Sequence, residues 1–419
     1  MSPCRKEVGV KVVVADSRVL DLSASPLNDE SRIVEGKVTV VGCGVFDEQE
    51  RLLPLVSEFL TKSTQTKKLS IPSVETYGRN LGYLVSYLSQ QPIFEGCSSD
   101  EILMTVTRPS IAAYIADLRK VYGIDSVTIR NRDACYRTFF TKFLCLSSND
   151  QGARRRNNPY DGGFISPSPK RKLVNACSPG ELEQLILSTS SERERVILQF
   201  IFDAGLRRSE VGRVTLADIN AAVRFSQEQM ISDSNSDPVR PVYCPLLVEG
   251  SKGRGDETKQ RYSIVSRPTL ERIKKYHSSA LYKRYSLRCA SPETTPAFFN
   301  ANGEEFNADA ISALLRRVSD RGVKYRRLVR PIAPHKLRHG HAYAILNSSD
   351  LGSDILDRMV MVQKSLGHAH FDTTNVYTHI PQDIYRALCG AESDLLTKAQ
   401  TMALLWKSTT LRIDLRARK

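Results

Sequence analysis

The 419-residue chain predicts a mainly α fold with a small β-sheet: a helical domain, then a mixed α+β domain, behind a small β-rich N-terminal extension. Three observations predict it. Apolar residues recur at helical spacing through most of the chain beyond residue 48, the first 48 residues hold two valine-rich stretches separated by turn formers, and two short strand-like runs between the helices flank a glycine-rich tip. A chain of this length exceeds one ordinary core and divides into two or three domains.

Residues 1–48 read as strands over Val8 to Val14 and Arg32 to Val41, with Ser, Pro, Asn and Asp between them. From 49 to 150 the pattern is helical. Tyr77, Leu81, Leu84, Val85 and Leu88 share one face, Ile111, Ile115, Leu118 and Tyr122 another, and Tyr136, Phe139, Phe140, Phe143 and Leu144 form an aromatic stripe read as core. Residues 151–175 read as a basic linker, because Gly, Asn and two Ser-Pro steps surround the triplets Arg154, Arg155, Arg156 and Lys170, Arg171, Lys172. Two such triplets on a flexible segment are expected to follow a phosphate backbone.

A third body is expected over 176–390. Ser178, Pro179 and Glu181 spell a capped helix start ahead of Leu182, Leu185 and Ile186, and a second helix through Val196, Phe200 and Ala204 is closed by Gly205. Val242 to Val248 and Gln260 to Val265 are expected to be strands joined by a lysine-bearing glycine-rich tip. Helices follow around Leu270 to Tyr285, Ala308 to Val318 and from His335 to Leu346. Residues 391–419 carry a last apolar stripe, Leu395, Leu396, Ala399, Met402, Ala403 and the sole tryptophan, Trp406.

Chemistry is concentrated in three blocks. Gly205-Leu206-Arg207-Arg208-Ser209-Glu210 starts a chain of cationic groups, and His335-Lys336-Leu337-Arg338-His339 continues it. Leu366-Gly367-His368 then leads, nine residues after the histidine, to Tyr377-Thr378-His379. Two guanidinium groups can grip one phosphate through paired hydrogen bonds while staying charged at any working pH. Imidazoles beside them can donate to phosphate oxygens or exchange protons near neutrality. A tyrosine hydroxyl, with an ordinary pKa of about 10, becomes a nucleophile only in such a cationic setting. Glu210, three residues after Arg207, is placed to orient it. His335 and His339 stand four apart, but Lys336 occupies the place where a zincin carries glutamate, so no metal is expected.

These three blocks, in this order, resemble those of the tyrosine recombinases, the family of phage and transposon integrases and chromosome-dimer resolvases. The resemblance implies DNA strand cleavage and rejoining through a 3′-phosphotyrosine on Tyr377, with Arg207, His335, Arg338 and His368 around the phosphate and no cofactor. It also implies a lysine on the strand hairpin that protonates the leaving 5′ oxygen; Lys252 matches best and Lys259 is the alternative. Residues 49–150 become a core-binding domain that clamps the duplex, and 391–419 a helix that docks on a neighbouring protomer. The implied assembly is a homo-tetramer on two double-stranded DNA sites, with room for an accessory bending or directionality factor. The chain exceeds a minimal two-domain recombinase, which suggests a mobile-element integrase or transposase. The alternatives are a type IB topoisomerase or a catalytically idle DNA-binding factor of the same fold. Between Arg338 and His368 the segment Asn347 to Ser353 reads as an insertion.

Composition agrees with an anionic partner. The formal charge is +14, and residues 1–50 carry six Lys or Arg against nine Asp or Glu, so the positive excess lies beyond them. Nine scattered cysteines without a Cys-x-x-Cys pair argue against a disulfide framework and for a reducing cytoplasm. No apolar run approaches the ~18 residues of a membrane span.

Overall fold

The computed structural model describes residues 9–20, 37–147, 152–169, 174–228, 241–250, 259–368, 374 and 396–411. The chain divides into two compact units, with the boundary between Arg171 and Lys172.

In the first unit, strands β1 (Lys11–Leu20) and β2 (Lys37–Phe46) form an antiparallel pair in which Lys11 faces Phe46. Helices α1 (Pro54–Gln65), α2 (Ile71–Leu88), α3 (Ser99–Thr105), α4 (Arg108–Lys120) and α5 (Ser126–Phe139) follow. Cys43 and Val45 of β2 lie in the same core as Phe59, Leu81 and Phe139, so the strands belong to this body rather than to a separate extension. The aromatic stripe is core as expected: Tyr136, Phe139 and Phe140 are fully buried, and Phe59 meets Phe139 edge-on at 5.3 Å.

The stretch expected to be a flexible linker is instead built into this unit. Buried Asp133 accepts hydrogen bonds from Tyr160 Oη (2.8 Å), Ser166 N (2.7 Å) and Ile165 N (3.0 Å). Arg155, expected at a DNA phosphate, turns inward: its guanidinium donates to the carbonyls of Leu103 (2.7 Å), Asn157 (2.6 Å) and Val106. Arg108 does the same for Pro159, Gly163 and Phe164. A packed segment without regular structure leaves carbonyls that need donors, and the five N–H groups of a guanidinium supply them. An arginine-rich stretch can therefore be an internal brace.

The second unit opens with α6 (Pro179–Leu187), whose expected cap is present: Glu181 N donates to Ser178 Oγ (3.1 Å) and Ser178 N to Glu181 (2.9 Å). Next come α7 (Glu192–Ala204) and α8 (Leu216–Glu228), then the antiparallel pair β3 (Tyr243–Glu249) and β4 (Gln260–Ser266), in which Tyr243 faces Ser266. Helices α9 (Arg267–His277), α10 (Ala280–Ser286), α11 (Ala308–Lys324), α12 (Pro334–Leu346) and α13 (Ile355–Leu366) complete the body. The mainly α fold with small sheets is as the sequence predicts.

The final helix is α14 (Lys398–Thr409). Expected on a neighbouring protomer, in the single chain it packs on α6, α7 and α9 of its own unit, with Met402 and Leu405 in the core. Arg195 and Arg272 donate to the carbonyl of Thr409 at its C-terminal end, which suits the helix dipole. Its first residue, Lys398, is fully buried in an ion pair with fully buried Asp203. The segment Asn347 to Ser353 receives it: Ser348 Oγ accepts from Lys398 N (2.8 Å), and Tyr243 Oη bonds Asp350 (2.9 Å) and Ala399 N (3.1 Å). Ala399, Met402, Leu405 and Thr409 form the buried face, and Trp406 is not its anchor.

Candidate active site

Glu210 organises the site. It is fully buried just beyond α7, where Gly205 takes φ +60° and lets the chain turn sharply, and it gathers three arginines from separate elements. Arg207 donates through its backbone N and Nη1 (both 2.7 Å), and Arg261 of β4 through Nη2 (2.7 Å). Arg338 of α12 brings Nη1 to 3.8 Å. Burial pushes the Glu210 carboxyl up, but Arg261, the Arg207 N–H, Arg338 and Arg207 together outweigh it and hold the group below its usual range.

The arginines also tie the backbone. Arg338 Nη1 donates to Gly205 O (2.6 Å) and Nη2 to Leu366 O, joining the end of α7 to the end of α13. Arg261 donates to Ser365 O. Gly367, with φ +64°, closes α13 against the Arg261 side chain and aims His368 back at the cluster. The Arg207 side chain is 27% exposed while that of Arg338 is 2% exposed, so Arg207 is the arginine that solvent and ligand reach most readily.

Three histidines border this cluster. His335 is exposed, and its ring lies 4.2 Å from that of His339 one turn along α12. Burial, then the charges of His335, Arg338 and His368, hold His339 at about 4. Burial, followed by Arg338, Arg207, Arg261 and His335, likewise holds His368 at about 4, and its Nδ1 lies 3.1 Å from Thr374 Oγ1. Underneath, fully buried His341 bonds Ser365 Oγ (2.8 Å), which bonds Ser263 Oγ (2.7 Å), which donates to Ala204 O (2.7 Å).

Of the expected site residues, the structure brings Arg207, Glu210, His335, Arg338 and His368 together. Tyr377, Lys252 and the triplet Lys170, Arg171, Lys172 lie outside the described residues. Lys259 is exposed at the foot of β4, its carbonyl accepting from Gly250 N (2.9 Å). In the first unit Arg156 is exposed, whereas Arg154 forms a two-point pair with Glu58 (2.7 and 2.5 Å), and this hydrogen bonding draws the Glu58 carboxyl down to about 2.

Sequence reasoning missed Arg261 and Thr374, and gave His339 no role although it closes the second block. A signal existed for the first: period-two alternation along β4 puts Arg261 on the inward face with Ser263 and Val265, where a cation needs a partner. Among the described residues no group of His, Cys, Asp and Glu could hold a metal ion, and no helix is long and apolar enough to cross a membrane.

A model of the phage integrase family matches residues 171–383, a span holding all three blocks. Tyrosine recombinase XerD of Listeria innocua is 23% identical over 342 residues, covering 79% of this chain and 97% of the relative. Tyrosine recombinase XerC of Anoxybacillus flavithermus is 28% identical over 325 residues, covering 76% and 91%. The fold is similar to that of XerH site-specific recombinase in a post-cleavage complex with palindromic difH substrate, with TM-score 0.52, 18% identity and coverage of 79% and 83%. It is also similar to the Tn1549 transposon integrase in complex with circular intermediate DNA, with TM-score 0.51, 13% identity and coverage of 80% and 97%.

Proposed function

The chain belongs to the phage integrase family, and from that membership we propose that it is a site-specific DNA recombinase acting through a phosphotyrosine on Tyr377. The observation that carries the reading is the convergence of Arg207, Arg261 and Arg338 on one buried carboxylate beside His335, His339 and His368. Such a site holds positive charge fixed in place by a buried carboxylate, preorganised to act on the oxygens of a phosphodiester under attack. Arg207 and Arg338 neutralise those oxygens, and His335 and His368 serve as their hydrogen-bond partners. Tyr377 Oη bonds to phosphorus, the bond to the 5′ oxygen breaks, and Lys252 protonates the leaving group, with Lys259 as the alternative donor. His335, the exposed imidazole, takes the phenol proton.

The phosphodiester bond energy is kept in the tyrosyl ester, so rejoining needs neither ATP nor a metal. A 5′ hydroxyl from a second duplex attacks the ester and releases Tyr377, which exchanges strands. Four protomers on two sites supply the sequence of cleavages, the first unit clamping the duplex and an accessory bending or directionality factor biasing the outcome. The role proposed is integration and excision of a mobile element.

The test is a nicked suicide substrate, on which cleavage traps the covalent complex. Wild type is expected to accumulate it, and Tyr377→Phe to bind the same DNA while forming none. Trapped complex in Tyr377→Phe would overturn the assignment.

A further inference from the structure

His368 makes one side-chain hydrogen bond that the proposed reaction leaves unused: Nδ1 lies 3.1 Å from Oγ1 of Thr374, itself fully buried and three positions before Tyr377 in the sequence. That contact bears on which ring nitrogen carries the proton. The surroundings of His368 disfavour its cationic form, since it is partly buried among Arg338, Arg207, Arg261 and His335. Near neutral pH the ring is then neutral, with one donor nitrogen and one acceptor nitrogen.

A phosphate oxygen only accepts. A neutral imidazole therefore helps the phosphate only when the nitrogen facing it carries the hydrogen, which obliges the other nitrogen to accept. A hydroxyl can donate to that second nitrogen. A carbonyl or carboxylate in its place would fix the opposite tautomer.

We propose that Thr374 is a positioning residue: its hydroxyl donates to His368 Nδ1 and thereby fixes the ring as the Nε2–H tautomer that donates to a non-bridging oxygen of the scissile phosphate. This rests on the recombinase reading above. No proton is gained or lost by the protein in the step; the hydroxyl selects which nitrogen holds the one already present. Releasing the hydroxyl frees the ring to rotate and to change tautomer.

The test uses the full chain, single-turnover cleavage of the nicked substrate, and ¹⁵N shifts of labelled histidine, with His368 assigned by its loss in His368→Ala. Wild type is expected to show the Nε2–H pattern at His368. Thr374→Val, which keeps the shape and removes the hydroxyl, is expected to bind DNA as wild type does and to cleave roughly ten- to a hundredfold more slowly. Thr374→Ser restores the rate to within about threefold, since it restores the donor. In a His368→Ala background the valine change costs nothing further, because the two residues act as one unit.

Wild-type rates in Thr374→Val, an equal loss in the His368→Ala background, or no rescue by serine would each overturn the proposal while leaving the recombinase reading intact. Absence of covalent complex in wild type would instead overturn that reading. The shifts decide independently of activity, because an Nδ1–H pattern at His368 in wild type overturns the tautomer assignment.

Discussion

Lys398→Met isolates the contact that seats the last helix. In wild type the Lys398 ammonium and the Asp203 carboxylate are both fully buried and paired, and Asp203 also accepts from Ser266 N and Oγ (both 2.8 Å). Methionine keeps most of the apolar stem and removes the charge, leaving the carboxylate buried with only the Ser266 donors. Breaking a buried pair from one side costs about 3–5 kcal/mol. The Ser266 bonds exist already and offset nothing, while the freed carboxylate can recover some hydration if α14 lifts, so the lower end, about 3 kcal/mol, is expected. Urea unfolding reads this as a lowered midpoint at unchanged slope. The double variant Lys398→Met with Asp203→Asn should regain much of the loss, because the uncompensated charge is gone. A single variant within about 0.5 kcal/mol of wild type would refute the reasoning and favour a helix that spends its time elsewhere, as the sequence led us to expect.

Arg155→Ala should destabilise the first unit by about 2–4 kcal/mol, since three packed carbonyls lose their donor, whereas Arg156→Ala should stay within about 0.5 kcal/mol; equal effects would contradict the inward assignment of Arg155. Burial holds His277, His339 and His368 at about 4 in the folded chain, against about 6.5 unfolded, so the unfolded state binds more protons between these values. Stability should therefore be flat above pH 7 and fall as pH drops from about 6.5 to about 4, by up to ~1.4 kcal/mol per pH unit per histidine. His339→Gln should flatten that slope in thermal melts, and an unchanged slope would count against the burial of this ring. Lys252→Ala should cleave ordinary DNA slowly and recover on a substrate whose 5′ leaving oxygen is sulfur, which needs no proton; recovery only in Lys259→Ala would move the role to that residue.

The sequence made the helical bodies, the Ser178 cap and the Gly205 closure legible because each is a local matter of spacing and backbone preference. Arg207, Glu210, His335, Arg338 and His368 were legible because their chemistry comes in short blocks. Arg155 was misread because composition reports charge and not direction: the same guanidinium that would follow a phosphate backbone also satisfies packed carbonyls. The destination of α14 was hidden for a similar reason. An apolar stripe states that something covers it, and only the distant partners Asp203, Arg195 and Arg272 say what. Arg261 and Thr374 escaped because their roles come from tertiary contacts with Glu210 and His368, across 51 and 6 residues respectively.

In the proposed reaction Tyr377 carries the DNA between cleavage and rejoining. The most direct measurement digests the covalent complex formed on a nicked substrate with protease and nuclease and locates the nucleotide adduct by mass spectrometry. One adduct is expected, a 3′-linked phosphate on Tyr377, absent when Arg207 is replaced by alanine. An adduct on another residue, or a linkage through the 5′ phosphate, would contradict it.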